Sequence, residues 1–312
     1  MSVSLDFGRS QMKLRATASG LHLFDRTTGW NVLMDEVRVP QAQWARAPRQ
    51  ISVALTNACD LACPYCYAPK EPGSLDPDRL SGWLRELDEN GCLGVGFGGG
   101  EPTLHRNFTE ICRQAAAQTR LAVTFTTHAH RINRVHQADL KGIVHHIRVS
   151  VDGIGATYES LRGKSFDALR SRLEIVREIA PFGINYVVNQ LTLPDLNAGI
   201  ALACEFGATE FLLLPEQPVR GTGGAKRDTL SALWQWVGRY QGAVPLAVSE
   251  GYSEYISCGM SDCEVGLRSY AHIDANGQVK RSSYDRDGML IGLNGVMEAL
   301  GQLEDIRPKG SI

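Results

Sequence analysis

The chain has no long apolar run, no excess of charge of one sign and no low-complexity segment. None of its apolar stretches approaches the roughly 18 residues that a transmembrane helix requires. The segment from Met1 to Arg15 lacks the apolar core of a signal peptide and carries Asp6 and Arg9. The formal net charge of -2 gives no electrostatic footprint for nucleic acid or a membrane. We therefore expect a cytoplasmic protein with neither nucleic-acid nor membrane partners.

Cysteine usage argues against a disulfide framework. Eight cysteines could form four disulfides, but that pattern is typical of short secreted chains, and this chain has 312 residues and no signal segment. Cys92, Cys112 and Cys204 lie in apolar, patterned surroundings, so each is predicted to be a buried, inert thiol. The remaining cysteines, which need another explanation, are Cys59, Cys63, Cys66, Cys258 and Cys263.

An alternation of strand and helix patterns begins at residue 50. Alternating apolar residues predict strands at 50–56, 93–97, 121–126, 147–151, 184–188 and 211–214. Helical spacing predicts helices at 77–90, 107–118, 166–179 and 195–206. Such β–α units predict an α/β fold with a parallel sheet, open or curled, and helices outside. In such sheets the chemistry lies at the carboxyl ends of the strands.

The first of these helices has the clearest local signals. Asp76 is predicted as its N-cap and Pro77 as its first helical residue, and Gly91 ends it. Outside the regular block, residues 20–36 read as a two-stranded ribbon, and Ala275–Gly277 as the turn of a hairpin.

Three segments are expected along the chain. The regular alternation stops near residue 217, before the glycine-rich loop Gly221–Ala225, and a helix near 230–240 and another near 295–303 follow. The predicted boundaries give an N-terminal β-ribbon segment, a core and a small α+β C-terminal extension, at residues 1–48, 49–225 and 226–312.

Three thiols follow the first predicted core strand at C-x3-C-x2-C spacing. They are Cys59, Cys63 and Cys66, and one loop can bring all three onto one inorganic centre. Structural zinc normally takes four protein ligands, and a [4Fe–4S] cluster usually takes four thiolates. Three thiolates on such a cluster would leave one iron open for a substrate or a cofactor. The position of the loop, at the carboxyl end of a strand, agrees with a catalytic role.

These residues resemble the radical S-adenosylmethionine (SAM) superfamily. The cysteine loop carries a tyrosine, Tyr65, directly before its last cysteine, and the second strand ends in a glycine-rich motif. Later matches resemble the subgroup with a SPASM or twitch extension, which is best known for modifying ribosomal peptides. The matching segments are Gly99–Pro102, Ser150–Gly153, Tyr158–Gly163, Phe166–Asp167, Leu213–Pro215 and Pro218–Gly221.

The resemblance implies a partial (β/α)6 TIM-like barrel with a [4Fe–4S] cluster on Cys59, Cys63 and Cys66. The open iron would chelate the amino and carboxylate groups of SAM. An electron from the cluster would then split SAM into methionine and a 5′-deoxyadenosyl radical that abstracts hydrogen from a substrate. An external electron donor such as a flavodoxin or a ferredoxin is implied as well.

The resemblance also implies the residues that contact SAM. Gly99 and Gly100 would allow the backbone to approach the methionine part, and Glu101 would accept from its ammonium group. Arg162 offers a planar donor fork for the carboxylate of SAM. The remaining implied contacts are Ser150 as a hydroxyl donor, Tyr65 near the adenine, and Asn189 and Leu213 around the ribose and base.

The turn after the third strand departs from the family. Members often carry a Thr-Asn-Gly-like turn there, and this chain reads Thr127-His128-Ala129. His128 could contact SAM or substrate, but a histidine that faces solvent is the favoured interpretation.

The C-terminal extension departs further. Either Cys258 or Cys263 could be the first cysteine of the extension, but Ser282 stands where the next one belongs and no cysteine follows. Two thiols cannot complete a cubane without further ligands, which argues against an auxiliary Fe–S cluster. The two cysteines could instead donate hydrogen to a substrate radical, as in radical epimerases, or be a pair of packed thiols.

The expected function is therefore that of a radical SAM enzyme whose substrate is a ribosomally made precursor peptide. Cross-linking, epimerisation or another oxidation would follow hydrogen abstraction. An enzyme of the same superfamily that acts on a small-molecule natural-product intermediate is one alternative. A metal-binding scaffold without turnover is the alternative from a different class.

Overall fold

The computed structural model describes residues 12–219, 223–249 and 264–306. Its strands are β1 (Met12–Thr17), β2 (Gly20–Asp25), β3 (Asn31–Met34), β4 (Gln50–Thr56), β5 (Gly94–Gly99), β6 (Ala122–Thr127), β7 (His146–Ser150), β8 (Phe182–Val188), β9 (Glu210–Pro215), β10 (Leu246–Val248), β11 (Tyr270–Ile273), β12 (Gln278–Lys280) and β13 (Met289–Leu290). Its α-helices are α1 (Pro77–Glu89), α2 (Phe108–Gln118), α3 (Arg134–Leu140), α4 (Ala156–Arg162), α5 (Phe166–Ile179), α6 (Leu196–Phe206), α7 (Arg227–Arg239) and α8 (Val296–Asp305).

The six predicted core strands form one parallel sheet in chain order. Strands β4 to β9 each pair with the next strand along the chain, and all five pairings are parallel. Helices connect the strands, as expected for βαβ units. This arrangement confirms the predicted partial TIM-like barrel, and it gathers the carboxyl ends of the six strands at one edge.

The two faces of the core sheet differ in chemistry. On β7, Ile147 and Val149 are fully buried, and they alternate with Arg148 and Ser150, which are partly exposed. On β9, Phe211 is buried and its ring packs against α6 at Gly199. A Cβ atom added at that glycine would lie 3.2 Å from the ring. Because successive side chains on a strand point to opposite faces, one face packs against the helices. The other, which we name the polar face, carries partly exposed side chains, among them Arg148 and Ser150 but also Leu212 and Leu214.

The signals at the start of α1 are confirmed. The Asp76 side chain accepts hydrogen bonds from the amides of Asp78 and Arg79, at 3.1 and 3.0 Å, and Pro77 opens the helix. The buried stripe of α1 consists of Leu80, Trp83, Leu84 and Leu87.

The N-terminal ribbon has one more strand than predicted. The expected pair is β2 and β3, joined around residues 26–30, and β1 pairs antiparallel with the other side of β2. Two buried cations connect β1 to the rest of the protein, because Lys13 pairs with Asp88 of α1 and Arg15 pairs with Glu264 of the C-terminal extension.

The C-terminal extension enlarges the core sheet. Strand β11 pairs parallel with β4, and β12 and β13 follow antiparallel, so that the described sheet has ten strands with β10 at its other edge. The predicted hairpin turn is confirmed, since Asp274–Gly277 joins β11 to β12 and Gly277 has a φ of 79°. The three segment boundaries stay predictions, and the first two residues of the glycine-rich loop, 221 and 222, lie outside the described residues.

Two of the three cysteines predicted to be inert are buried. Cys92 and Cys112 are fully buried, and burial raises the pKa of Cys92 to about 11. The prediction for Cys204 is wrong, because its side chain is exposed. On α6 the buried face is formed by Leu202, Ala203 and Phe206, and Cys204 lies outside it. Among the described residues, no helix is long and apolar enough to cross a membrane.

Candidate active site

The motif cysteines lie in one loop between β4 and α1. Cys59, Cys63 and Cys66 are free thiols with partly exposed side chains. The loop turns where the Cys66 amide donates to the Cys63 carbonyl at 3.1 Å, and the Leu61 amide donates to Cys59 Sγ at 3.4 Å. Burial raises the pKa of both Cys59 and Cys63, and the neighbouring Cys66 adds to each shift. These thiols therefore stay protonated unless a positive charge or a metal compensates their thiolates.

The glycine motif after β5 packs directly on the start of this loop. A Cβ atom at Gly99, where φ is 117°, would lie 2.3 Å from the Thr56 carbonyl oxygen, and one at Gly100 would lie 2.2 Å from that of Ala58. Backbone hydrogen bonds join the same segments, from Gly100 to Thr56 at 2.7 Å and from Glu101 to Ala58 at 2.8 Å. Both glycines are therefore required for the loop to fit, and their predicted approach to SAM stays a prediction.

The carboxylate of Glu101 is buried and surrounded by donors of the protein. It accepts from the hydroxyls of Thr103 and Thr127 at 2.7 and 2.8 Å and from the His128 amide at 3.0 Å. The residue is 1% exposed. Because a carboxylate has about four acceptor positions, most of them are occupied here. Its predicted contact with the ammonium group of SAM stays a prediction.

A buried ion pair joins the cysteine loop to the ends of β7 and β8. Asp152 is fully buried and accepts from the Tyr65 hydroxyl at 2.6 Å, from Arg162 and from the Val187 amide at 2.7 Å. The Arg162 guanidinium lies 5.9 Å from the centre of the Tyr65 ring. Tyr65 and Arg162, which the sequence proposed for different parts of SAM, therefore meet on one carboxylate.

Arg162 keeps one donor unused. Its Nε atom is buried and has no hydrogen-bond partner among the described residues. The guanidinium lies close enough to the cysteine loop to lower the pKa of Cys63, although burial, the larger effect, raises it. A buried donor without an acceptor is costly in a folded protein. A carboxylate group bound beside Cys63 would supply the acceptor, which fits the predicted role of Arg162.

The other predicted SAM contacts are placed less directly. Ser150 ends β7 with a partly buried side chain. The Asn189 side chain donates to Glu216 at 2.8 Å and accepts from the amides of Leu191 and Thr192 at 2.9 and 3.0 Å. Asn189 therefore shapes its own loop, and its contact with SAM stays a prediction.

Leu213 lies on the helix-facing side of β9. It is fully buried in the main core and shares its face with Phe211. The neighbours that alternate with it, Leu212 and Leu214, are partly exposed on the other face. The predicted contact between the Leu213 side chain and the base of SAM stays a prediction.

Two residues of the candidate site were missed or misjudged from the sequence. Asp152 lies inside the matching segment Ser150–Gly153, but only the serine received a role. The expectation that His128 faces solvent is wrong, because the residue is 4% exposed. Its Nε2 atom lies 2.9 Å from Asp60 Oδ1 and 3.3 Å from Glu101 Oε2. The sequence signal that His128 has a special place was the departure of Thr127-His128-Ala129 from the Thr-Asn-Gly-like turn of the family.

The C-terminal extension reaches the cysteine loop. Tyr284 packs against Tyr67, the residue after Cys66, with ring centres 4.7 Å apart. Ser282, the residue in place of the expected cysteine, accepts from the Tyr284 amide at 3.1 Å. Cys258 and Cys263 lie outside the described residues.

Comparison with protein-family models identifies the domain that contains the cysteine loop. Residues 53–199 match the family model described as the radical SAM superfamily. The segment that matches, just under half of the chain, is a radical SAM domain. The matched region contains all three cysteines, the glycine motif and the Asp152–Arg162 pair. Such a domain implies SAM and a [4Fe–4S] cluster, and the free thiols with the unused Arg162 donor fit both groups.

Curated relatives of the radical SAM domain include peptide-modifying enzymes. Mycofactocin maturase MftC of Mycolicibacterium smegmatis is 32% identical over 171 residues, which cover 52% of this chain and 43% of the relative. PqqA peptide cyclase of Granulibacter bethesdensis is 27% identical over 191 residues, which cover 59% of this chain and 51% of the relative. The chain thus spans about half the length of the curated relatives that it matches.

Solved structures share the fold beyond the radical SAM domain. Streptococcus suis SuiB bound to S-adenosylmethionine matches with a TM-score of 0.73 and 15% identity, over 100% of this chain and 92% of that one. SuiB bound to the precursor peptide SuiA matches with a TM-score of 0.74 and 15% identity, over 96% of this chain and 91% of that one. This similarity establishes the architecture of the chain.

Proposed function

We propose that this protein is a radical SAM enzyme that modifies a ribosomally made precursor peptide. The observation that carries the proposal is the radical SAM match over residues 53–199 together with the intact cysteine loop. The names of the curated relatives, a maturase and a peptide cyclase, support a peptide as substrate. The modification would be a cross-link, an epimerisation or another oxidation of the peptide.

The chain's own residues have distinct roles in this proposal. Cys59, Cys63 and Cys66 would hold the cluster, Arg162 would bind the carboxylate of SAM, and Tyr65 would lie near its adenine. Asp152 would fix the orientation of both side chains. Cluster and SAM, when bound, supply one-electron cleavage of SAM and abstraction of a substrate hydrogen. The protein orients the reacting groups and excludes water.

The polar face of the sheet is the proposed site of the peptide. Arg148 lies 2.6 Å from Glu210 and donates to Asn185 at 3.3 Å, and both charged side chains are 30% exposed. A Cβ atom at Gly98 would meet nothing within 4 Å, so this face has open space beside the glycine motif. Charged and amide groups next to open space suit a peptide, whose backbone offers donors and acceptors at every residue.

The N-terminal ribbon is the proposed docking surface for the rest of the precursor. Among the described residues, β3 pairs with β2 and leaves its outer edge uncovered. Trp30 and Val32 are 67% and 39% exposed beside that edge. An extended peptide can bind to such an edge as an added strand.

A flavodoxin or a ferredoxin as electron donor and a location in the cytoplasm complete the proposal. We propose no auxiliary cluster, since Ser282 stands where a cysteine ligand would be needed. A role of Cys258 or Cys263 as hydrogen donor is tested by replacing each with alanine and comparing the products.

Co-expression with short peptides encoded beside the gene tests the peptide proposal. We expect a mass change in one such peptide with the wild type, and none with the Cys63→Ala variant as control. The Trp30→Ser/Val32→Ser variant should retain less of that peptide in a pull-down. An unmodified peptide, combined with turnover of a sugar or nucleoside precursor, would instead establish the small-molecule alternative. Bound zinc without cleavage of SAM would indicate the metal-binding scaffold.

A further inference from the structure

His128 connects the two parts of the site that the sequence predicts separately. Its side chain is 3% exposed and lies between the cysteine loop and the glycine motif. The Nε2 atom is 2.9 Å from Asp60 Oδ1 and 3.3 Å from Glu101 Oε2. Asp60 directly follows Cys59, and the ligand atoms of Cys59, Asp60 and His128 all lie within 4.8 Å of one another. One imidazole therefore contacts both loops at the level of the first motif cysteine.

The hydrogen-bonding pattern determines which imidazole nitrogen carries the proton. The His130 amide donates to His128 Nδ1 at 3.2 Å, so Nδ1 is an acceptor. In the neutral ring the proton is then on Nε2, which faces the two carboxylates. The ring thus donates toward Asp60, and a hydrogen bond from a neutral donor to an ionised acceptor is stronger than one between neutral groups.

Two cations, Arg131 and Lys164, also lie near Asp60 and limit its movement. Arg131 Nη1 lies 3.4 Å and Lys164 Nζ 3.9 Å from its other carboxylate oxygen, Oδ2. Both cations are partly exposed, so each pair contributes little alone. The His128 contact is buried and short, which makes it the principal fixed connection from Asp60 to the barrel.

We propose that His128 is a positioning residue that holds Cys59 and its loop in register with Glu101. This inference rests on the proposed use of a cluster and SAM, because register between these segments determines where SAM binds. Thr127 and the His128 amide already fix Glu101 from β6, and the His128 side chain extends the same connection to the cysteine loop.

Two substitutions separate this role from general packing. His128→Gln places an amide N–H near the position of Nε2 and keeps a donor for Asp60. His128→Asn is shorter, so it retains polarity near Nδ1 but does not reach Asp60. His136→Asn, on the partly exposed helix α3, is the matched control for loss of a histidine.

The test uses the reconstituted full-length enzyme under anaerobic conditions. We expect His128→Asn to exchange amide hydrogens in residues 57–66 about tenfold faster than the wild type, because a buried charge-assisted contact is lost. A SAM titration followed by electron paramagnetic resonance should show about tenfold weaker binding. His128→Gln and His136→Asn should stay within about twofold of the wild type in both measurements, since His128→Gln keeps the contact with Asp60 and the His136 side chain bonds Asn133 instead of either loop.

A second variant, Asp60→Ala, controls for the possibility that His128→Asn misfolds. Asp60→Ala removes the same contact from the loop side and should reproduce both effects, and the double variant with His128→Asn should be no worse than either single variant. Wild-type exchange and SAM binding in His128→Asn, or equal losses in His128→Gln, would overturn the proposal. A wild type that binds SAM but modifies no peptide would refute the proposed substrate and leave this inference standing.

Discussion

At the scale of single residues, the site contains one backbone conformation that its residue type disfavours. Ala129 has a φ of 65°, and it is the one non-glycine residue with positive φ among the described residues. The turn is held by the Thr127 hydroxyl, which accepts from the Ala129 amide at 2.9 Å, and the same hydroxyl donates to Glu101. The strain therefore lies in the turn that presents His128.

Ala129→Gly should stabilise the protein. A left-handed conformation costs a non-glycine residue about 1–2 kcal/mol, and glycine loses part of this gain through its freer unfolded chain. We expect the free energy of unfolding in urea to rise by about 0.5–1 kcal/mol. Ala168→Gly, at an exposed position of α5, should lower it by about 1 kcal/mol. A loss of stability at position 129 would show that the alanine methyl group packs too well to be replaced.

Residue roles were predictable where chemistry requires particular residue types. The spacing of Cys59, Cys63 and Cys66 predicts one loop with three thiols, which the structure contains between β4 and α1, and their role as cluster ligands stays a prediction. It could not show that Asp152 lies between Tyr65 and Arg162, because those three residues are brought together by the ends of different elements. The pairing of side chains depends on strand order and loop geometry, which spacing in the chain does not contain.

At the scale of elements, alternation predicted the core strands closely and failed for β1. On that strand the buried residues are Lys13, Arg15 and Thr17, whereas Leu14 is 53% exposed. The polarity of the two faces is thus the reverse of an ordinary amphipathic strand. A pattern search expects apolar residues on the buried face, so it could not find a strand whose buried side chains are cations with partners elsewhere.

Glu86 of α1 connects two helices and gives an element-scale prediction. Its carboxylate accepts from the amides of Val296 and Met297, at 2.7 and 3.1 Å, and so caps the start of α8. We expect Glu86→Ala to lower the free energy of unfolding by about 1–2 kcal/mol, because two amides lose a charged acceptor. Glu89→Ala, at the exposed end of α1, should change it by less than about 0.5 kcal/mol. Equal effects in urea unfolding would contradict the capping role.

Strand β11 provides a pH-dependent contact. His272 is 7% exposed, its Nδ1 lies 2.7 Å from the Ser52 hydroxyl of β4, and burial lowers its pKa to about 4. As the pH falls, His272 takes up a proton near pH 6.5 in the unfolded chain but only near pH 4 in the folded chain. Protonation therefore favours the unfolded state, and stability is lost between about pH 6.5 and pH 4. The loss amounts to about 3 kcal/mol.

His272→Asn should keep the contact with Ser52 and remove this pH dependence. We expect the difference in unfolding free energy between pH 7 and pH 4 to be smaller than in the wild type by about 3 kcal/mol. His146, whose pKa is also lowered to about 4, stays in both proteins and cancels in the comparison. Parallel stability curves for the two proteins would rule out His272 as a source of acid sensitivity.

At the scale of the whole molecule, one buried arginine joins segments from both ends of the chain. Arg15 of the ribbon is fully buried and bonds Glu264 at 2.7 and 2.8 Å. It also donates to the carbonyls of Gly91, Ala47 and Arg268 at 2.8, 3.0 and 3.1 Å. Ribbon, core and C-terminal extension therefore share one anchor.

Arg15→Met should destabilise the whole protein. Removing one partner of a buried ion pair costs about 3–5 kcal/mol, because the other charge keeps its desolvation penalty. Adding Glu264→Gln should recover part of the loss, and Arg46→Met, at an exposed arginine, should cost less than about 1 kcal/mol. Thermal unfolding measures all three variants. An Arg15→Met protein as stable as the wild type would mean that the ribbon is not coupled to the core.

The central claim is tested most directly by cleavage of SAM after anaerobic reconstitution of the cluster. With a chemical reductant, the wild type should bind iron and sulfide near four each per chain, as one cluster requires, and should form 5′-deoxyadenosine. Cys63→Ala should form none, because one of the three cluster ligands is lost. A wild type that binds zinc and leaves SAM intact would contradict the account.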